Sequence, residues 1–204
     1  MSIISKAQVL SIKSYGPDIR EYTLKLDESH YFEAGTFLLL TLEHQESYSP
    51  WPVESRNFSM ASAYSPEGTV KMVIRKVGFY TKRIFEELKV GSTCMVKYAF
   101  GDFLLPFFDK ESPICCIAGG TGIAPILSFC EQLKRDGQAG RLHVFYSFKS
   151  REELIGGDVL TATVPASQLH LYCTRESCPG IKNCRISTSD IVGYTDNWTH
   201  SHFY

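Results

Sequence analysis

Ala118-Gly119-Gly120-Thr121-Gly122-Ile123-Ala124-Pro125 follows an apolar run, Ile114 to Ala118, and precedes a stretch in which Ile126, Leu127, Cys130 and Leu133 form one stripe at helical spacing. A strand that enters an amphipathic helix through a glycine-rich turn is the opening unit of an α/β sheet. Leu142 to Tyr146 and Leu169 to Cys173 read as further buried strands after a helix at Ala124 to Arg135. Strands alternating with helices pack as a parallel sheet, so the rear half is expected to be an α/β domain.

The front half has a different period. Short strands are expected at Ala7 to Ile12, Arg20 to Leu26, Thr36 to Leu42, Arg56 to Ala61, Val70 to Arg75 and Cys94 to Tyr98. Tyr22, Leu24 and Leu26 alternate with Glu21, Thr23 and Lys25, the signature of a sheet with one wet face. Many short strands mean an antiparallel barrel or sandwich. One helix is expected at Tyr80 to Leu88, where Ile84, Phe85 and Leu88 share a face and Gly91 follows as a stop. Pro106 to Pro113 is rich in turn formers and charge, which puts the boundary near Lys110: domains at 1–109 and 110–204.

Composition narrows the partners. The 204 residues are 44% hydrophobic and 21% charged, enough to bury a core without extended disorder. Lys+Arg 21 against Asp+Glu 22 leaves a net charge of -1, which removes the electrostatic reason to expect a nucleic acid or an anionic membrane as main partner. No apolar run nears the roughly 18 residues of a membrane span. The seven cysteines are odd in number, Cys115 and Cys116 are adjacent, and Met1 to Leu10 lacks the order of a secretory signal, so a reducing cytoplasm is expected. The gaps between Cys173, Cys178 and Cys184 match no zinc or iron–sulfur spacing, and unligated thiols with no metal are expected.

Two segments carry chemistry. At Gly119 to Gly122 the missing side chains let a phosphate approach the backbone, and the following helix start supplies amide donors and a positive dipole end. Gly120-x-Gly122 begins like a dinucleotide fingerprint, with Pro125 in place of its third glycine; proline suits the first helical turn. A ligand-free tight corner is the alternative reading. The second segment is Arg56-Asn57-Phe58-Ser59-Met60-Ala61-Ser62. Arg56 and Phe58 project to one face of a strand and Ser59 to the other, giving a cation for phosphate, a ring for stacking and a hydroxyl for a ring nitrogen. An ordinary strand with an aromatic core residue is the alternative here.

The order of these residues resembles the ferredoxin-NADP reductase superfamily, in which an R-x-[YF]-S strand of a flavin-binding barrel precedes a G-G-[TS]-G-x-[AT]-P turn of a nicotinamide-nucleotide domain. Between them Gly78-Phe79-Tyr80-Thr81 resembles the family's G-x-x-[ST] helix start, and Gly91 to Leu105 its exit from the barrel. Beyond them Thr174-Arg175-Glu176 resembles its [ST]-R element and Cys184-Arg185-Ile186 its G-R-I element. The resemblance covers nearly the whole chain. It implies a flavin-binding antiparallel β-barrel followed by an α/β parallel-sheet nucleotide-binding domain.

Residue by residue, the resemblance implies Arg56 on the flavin pyrophosphate, with Asn57 beside it, Phe58 against the isoalloxazine or ribityl chain, and Ser59 at flavin nitrogen 5 as the catalytic residue. It implies Val73, Ile74 and Arg75 along the ribityl and adenine portions, and Gly78, Phe79, Tyr80 and Thr81 at a second phosphate, which makes FAD preferred over FMN. Gly120, Thr121, Gly122 and Pro125 would meet a nicotinamide cofactor, with Lys149, Arg151, Thr174 and Arg175 as a cationic rim that inclines the choice to NADPH over NADH. The implied function is an FAD-dependent NAD(P)H oxidoreductase that passes electrons to a separate acceptor. Ferredoxin, flavodoxin, an oxygenase component, free flavin, iron chelates and quinones all remain open. An electron-transfer subunit of a larger flavoenzyme and a flavin-binding module without turnover are the alternatives.

The pattern departs from the family in places. Phe58 stands for the commoner Tyr, and Tyr98-Ala99-Phe100-Gly101 for G-P-[FY]-G. His202-Phe203-Tyr204 resembles the start of the family's last core strand, and the expectation is that further chain or another chain completes it.

Overall fold

The computed structural model describes residues 3–42, 54–193 and 200–204. They divide into two compact units, Met1–Leu104 and Leu105–Tyr204.

In the first unit β1 (Ile3–Ser14), β2 (Ile19–Leu26), β3 (Phe37–Thr41), β4 (Arg56–Ser59), β5 (Thr69–Arg75) and β6 (Thr93–Phe100) form one antiparallel sheet in the order β4-β3-β6-β1-β2-β5. The bridge Met60↔Met72 joins its two ends, so the sheet is a nearly closed barrel, which leaves few unpaired strand edges. Alternation decides which side chains enter it: Ala7 and Val9, Tyr22, Leu24 and Leu26, Leu38 and Leu40, Val70, Met72 and Ile74, and Cys94, Val96 and Tyr98 are buried in one cluster. β1 pairs with β6 through its first half and with β2 through its second, and an irregularity between Val9 and Ser11 accompanies the change.

The helix α1 (Phe79–Glu87) closes one end of this barrel with Tyr80, Ile84 and Phe85. Two strands hold it there. The Tyr80 hydroxyl accepts from the Leu42 amide and donates to the Leu40 carbonyl, both at 3.1 Å. Arg20 of β2 donates to the Phe85 carbonyl at 2.8 Å and stacks on the Phe85 ring at 4.3 Å.

In the second unit β7 (Ile114–Gly119), β8 (Leu142–Phe148), β9 (Leu169–Cys173) and β10 (His202–Phe203) form a parallel sheet in the order β10-β7-β8-β9. A 3₁₀ turn, Gly120–Ile123, leads from β7 into α2 (Ala124–Arg135), which buries Ile126, Leu127, Phe129, Cys130 and Leu133. Two short helices follow, α3 (Gly157–Thr163) and α4 (Thr188–Val192). Gly156, at φ 63°, lets α3 begin hard against α2: a Cβ there would lie 2.5 Å from Leu127 Cδ2. The chain runs outward from β7 to β8 and β9, then returns to pair on the other edge of β7. That makes the carboxyl end of β7 the switch point of the sheet, where ligands of open parallel sheets bind. The glycine-rich turn begins there. No helix of the described residues is long and apolar enough to cross a membrane.

Candidate functional site

Each unit carries one cleft that gathers residues singled out from the sequence. In the barrel, a cleft of about 310 Å³ is lined by Arg56, Asn57 and Phe58 from β4 and by Val77, Gly78, Phe79, Tyr80 and Thr81 at the start of α1. Residues more than 20 positions apart meet because Tyr80 anchors the helix to β3, the partner of β4. Arg56 is half exposed and lies over the Tyr80 ring at 4.8 Å; it also donates to the Ser55 carbonyl at 2.8 Å and faces Glu54 at 3.5 Å. Its guanidinium is thus steered toward the helix start, and among the described residues most of its donors have no partner.

The helix start brings backbone amide donors to the cleft. Its first amides have no partner one turn earlier, by the geometry of any helix N-terminus, and no side chain caps them. The Thr81 hydroxyl accepts from the Val77 and Gly78 amides at 2.9 and 3.0 Å and returns a bond to the Gly78 carbonyl at 3.1 Å. Thr81 therefore shapes the turn from within. Gly78 has an ordinary extended backbone, and a Cβ there would meet nothing within 4 Å. Neither strain nor packing accounts for that glycine.

The bulky neighbours resolve differently. The Tyr80 ring packs with the barrel core, and burial pushes its phenol above the usual value. Phe79 is 74% exposed, a free ring at the cleft mouth. Phe58 is partly buried against the barrel core, which leaves part of its ring for a ligand.

Ser59 and the β5 residues lie apart from this cleft. Ser59 is half-buried and pairs with Phe37, whose ring stacks on Phe100 at 5.6 Å. Val73 and Ile74 are buried, Ile74 within the core cluster, so that residue offers a ligand its backbone only; Arg75 is half-buried at the end of β5. At the barrel exit Ala99 takes a left-handed φ of 67°, a region that favours glycine, and Gly101 at φ 102° has no room for a Cβ, which would lie 2.9 Å from Phe37 Cδ1.

In the second unit a cleft of about 520 Å³ opens at the carboxyl ends of three strands: Ile117, Ala118 and Gly119 from β7, Ser147 from β8 with Lys149 just after it, and Thr174 and Arg175 just after β9, with Arg185 and Ile186 beyond. Three cations, Lys149, Arg175 and Arg185, converge on it, and among the described residues no carboxylate lines it. None of the three pairs with an acid among the described residues. Backbone bonds fix two of them, because Thr174 N–H donates to the Phe148 carbonyl and Arg175 N–H to that of Lys149, both at 2.9 Å. Gly119 is exposed with an ordinary φ of -128° and open space where a Cβ would point, and Gly120 needs glycine for its φ of 53°. Gly120, Thr121 and Gly122 form the 3₁₀ turn, and Pro125 stands in the first turn of α2.

Arg151 is outside this group. It opens a 3₁₀ turn with an exposed side chain, does not line the cleft, and its amide donates to Glu176 at 2.8 Å. Arg185 is the residue that sequence reasoning left without a role. It follows β9 by more than ten positions, and only the fold returns it to the strand ends.

Comparison with known proteins agrees with this geometry. The family described as "Oxidoreductase NAD-binding domain" matches residues 116–177. The chain is 28% identical over 161 residues to the phenol hydroxylase P5 protein of Acinetobacter pittii (strain PHEA-2), covering 78% of this chain and 43% of that one. It is 33% identical over 132 residues to the terephthalate 1,2-dioxygenase reductase component 1 of Comamonas sp, covering 63% of this chain and 37% of that one. The chain thus spans about two fifths of the length of these curated relatives. Among solved structures, the ferredoxin NADP+ reductase of Neisseria gonorrhoeae with bound FAD and NADP superposes with a TM-score of 0.73 at 23% identity, over 99% of this chain and 83% of that one. An Amycolatopsis cytochrome P450 reductase gives 0.80 at 21% identity, over 99% and 61%. These likenesses span both units, and the β-barrel followed by a parallel α/β sheet is the arrangement they share. Residues 116–177 thus match an oxidoreductase NAD-binding domain, and the two-part fold of the chain is the one seen in these reductase structures.

Proposed function

We propose that this chain is the flavin- and nicotinamide-binding part of a reductase, with FAD at the barrel cleft and NAD(P)H, preferentially NADPH, at the carboxyl edge of the parallel sheet. Its flavin part spans residues 1–109 and its nucleotide part 110–204. FAD bound there supplies a carrier that accepts two electrons as hydride from NAD(P)H and delivers them onward to a separate acceptor.

The residues serve that chemistry by binding and orientation. Arg56 offers a planar set of donors to the flavin pyrophosphate, and the Gly78 to Thr81 turn offers backbone amides to its second phosphate. Asn57 and Phe58 border the same ligand, Ser59 presents its hydroxyl toward the ring nitrogen that accepts hydride, and the backbone of Val73, Ile74 and Arg75 guides the ribityl and adenine portions. In the second unit Gly120, Thr121, Gly122 and Pro125 leave room for the dinucleotide pyrophosphate. Lys149, Thr174, Arg175 and Arg185 hold a 2'-phosphate, and Arg151 adds positive charge nearby.

The observation that carries this reading is the convergence of Lys149, Arg175 and Arg185, unpaired with acids among the described residues, on a cleft at the sheet's switch point. The name of one relative, the reductase component of a terephthalate 1,2-dioxygenase, supports an oxygenase component as acceptor. Residence in a reducing cytoplasm belongs to the same proposal and is supported by seven free thiols. The test is mass identification of the ligand released from the denatured protein, with anaerobic addition of NADPH or NADH to the FAD-loaded chain. FAD retention with faster bleaching by NADPH is expected; a chain that neither carries nor takes up flavin refutes the proposal.

A further inference from the structure

Behind the cationic cleft, the exit of β9 gathers three metal-binding side chains. The Cys173 and Cys178 sulfurs and a Glu176 carboxylate oxygen all lie within 4.8 Å of one another. Both cysteines are buried and the carboxylate is exposed, so the group is a pocket of sulfur with an oxygen at its mouth. We propose that Cys173, Glu176 and Cys178 form a site for a thiophilic divalent cation, for which zinc is the best fit, with a fourth position open to water or an added ligand.

The spacing suits a tetrahedral ion. Bonds of about 2.3 Å to sulfur and 2.1 Å to oxygen place two sulfurs about 3.8 Å apart and sulfur from oxygen about 3.6 Å apart. Closing from within 4.8 Å to those separations takes side-chain movements on the order of 1 Å or less. Sulfur with carboxylate favours zinc over magnesium or calcium, which seek all-oxygen shells.

The loop is held in place without an ion. Cys173 N–H donates to the Lys182 carbonyl at 2.9 Å, Lys182 N–H donates to that of Leu171 at 3.2 Å, and Ile181 N–H donates to that of Cys178 at 3.1 Å. Asn183 Nδ2 ties down the Glu176 carbonyl at 2.7 Å. The Glu176 carboxylate accepts from the Arg151 amide at 2.8 Å, an outer bond of the kind that orients a metal ligand. Ligation also leaves no carbonyl stranded. The Cys173 thiol donates to the Lys149 carbonyl at 3.3 Å, and when that proton leaves, the carbonyl keeps the Arg175 amide at 2.9 Å. Two thiols ligate as thiolates and release two protons; no electron moves. Cysteine spacing alone points to unligated thiols because the third ligand is a carboxylate and Cys184, though near in sequence, is outside the group.

Cobalt(II) titration of the reduced, metal-stripped protein tests this. One equivalent per chain is expected, with a sulfur-to-cobalt charge-transfer band, the intense visible bands of four-coordinate cobalt, and loss of both on zinc addition. Cys178→Ser should abolish the charge-transfer band or weaken binding at least about tenfold, and Glu176→Gln, an exposed change that leaves folding intact, should weaken binding while the band persists. Cys184→Ser should change neither. Absence of the charge-transfer band in the reduced protein, a band that survives unchanged in Cys178→Ser, or one abolished in Cys184→Ser overturns the proposal.

Discussion

Replacing Arg175 by alanine separates the 2'-phosphate from the rest of the nucleotide. Arg175 shares its cleft with Lys149 and Arg185, and its main chain is fixed by the bond to the Lys149 carbonyl, so truncation removes a charge without releasing the loop. A guanidinium about 4 Å from a phosphate interacts by about 4 kcal/mol at an effective dielectric of 20 and about 1 kcal/mol in bulk water. Arg175 is exposed, which puts its loss near the lower figure, at about 1–2 kcal/mol, or about 5- to 30-fold in Kd. Calorimetric titration of wild type and variant with NADPH and NADH measures the difference. NADPH should weaken by that factor while NADH changes less than about threefold, and the NADPH advantage of the wild type should shrink at about 1 M salt, where screening shortens to about 3 Å. Arg175→Lys should recover only part of the loss, because a point charge does not replace the planar donor set. Equal losses for the two nucleotides would refute the assignment of Arg175 to the 2'-phosphate.

Other expectations follow from particular contacts. Thr81→Val deletes the hydroxyl that organises the Val77–Gly78 turn; it should cost about 1 kcal/mol in denaturant unfolding and weaken FAD more than riboflavin, whereas unchanged FAD affinity counts against an anion site there. Ala99→Gly relieves a left-handed backbone and should raise barrel stability by about 0.5–1 kcal/mol after glycine's entropy is subtracted, visible as a higher melting temperature; a lower one contradicts it. Acid should destabilise the second unit in two stages. Burial holds His143 and His170 below the ordinary imidazole value of 6.5, so the unfolded chain takes up protons first and stability falls as pH drops below that value. Ser112, with His202, holds Asp109 below the ordinary carboxylate value of 3.8, and Lys182, with Ser187, does the same for Asp190; stability present above 3.8 is then lost as pH falls further. Urea unfolding from pH 8 to 3 measures both stages, and a flat profile between 7 and 5 contradicts the first.

Elements built on a strong local period were legible in the sequence. The helix read at Ala124 to Arg135 is α2 residue for residue, because four apolar side chains share a stripe and a proline marks the start. The barrel strands were recovered from alternation, with Tyr22, Leu24 and Leu26 inward as expected. What local reasoning missed depends on distant partners. The short α3 has only Leu160 buried and no stripe to announce it, and β10, a two-residue strand made by pairing with β7, was legible by resemblance and not by a local period. In the barrel, the joining of Arg56 to Phe58 with Gly78 to Thr81 came from resemblance; its physical cause, the Tyr80 hydroxyl bonded to β3, has no sequence signature. Lys149 and Arg175 could be proposed because both follow strands that end on one edge, but Arg185 has no such marker. Glu176 meets Cys173 and Cys178 only because the turn after β9 is pinned at both ends.

The proposed flavin pyrophosphate site between Arg56 and the start of α1 is tested most directly by calorimetric titration of the flavin-free protein. The expected result is one FAD per chain, bound at least about tenfold more tightly than riboflavin and weakened at least about tenfold by Arg56→Ala, the loss of a charge-assisted contact to phosphate. Heats no larger than dilution, or equal affinity for FAD and riboflavin, would contradict it.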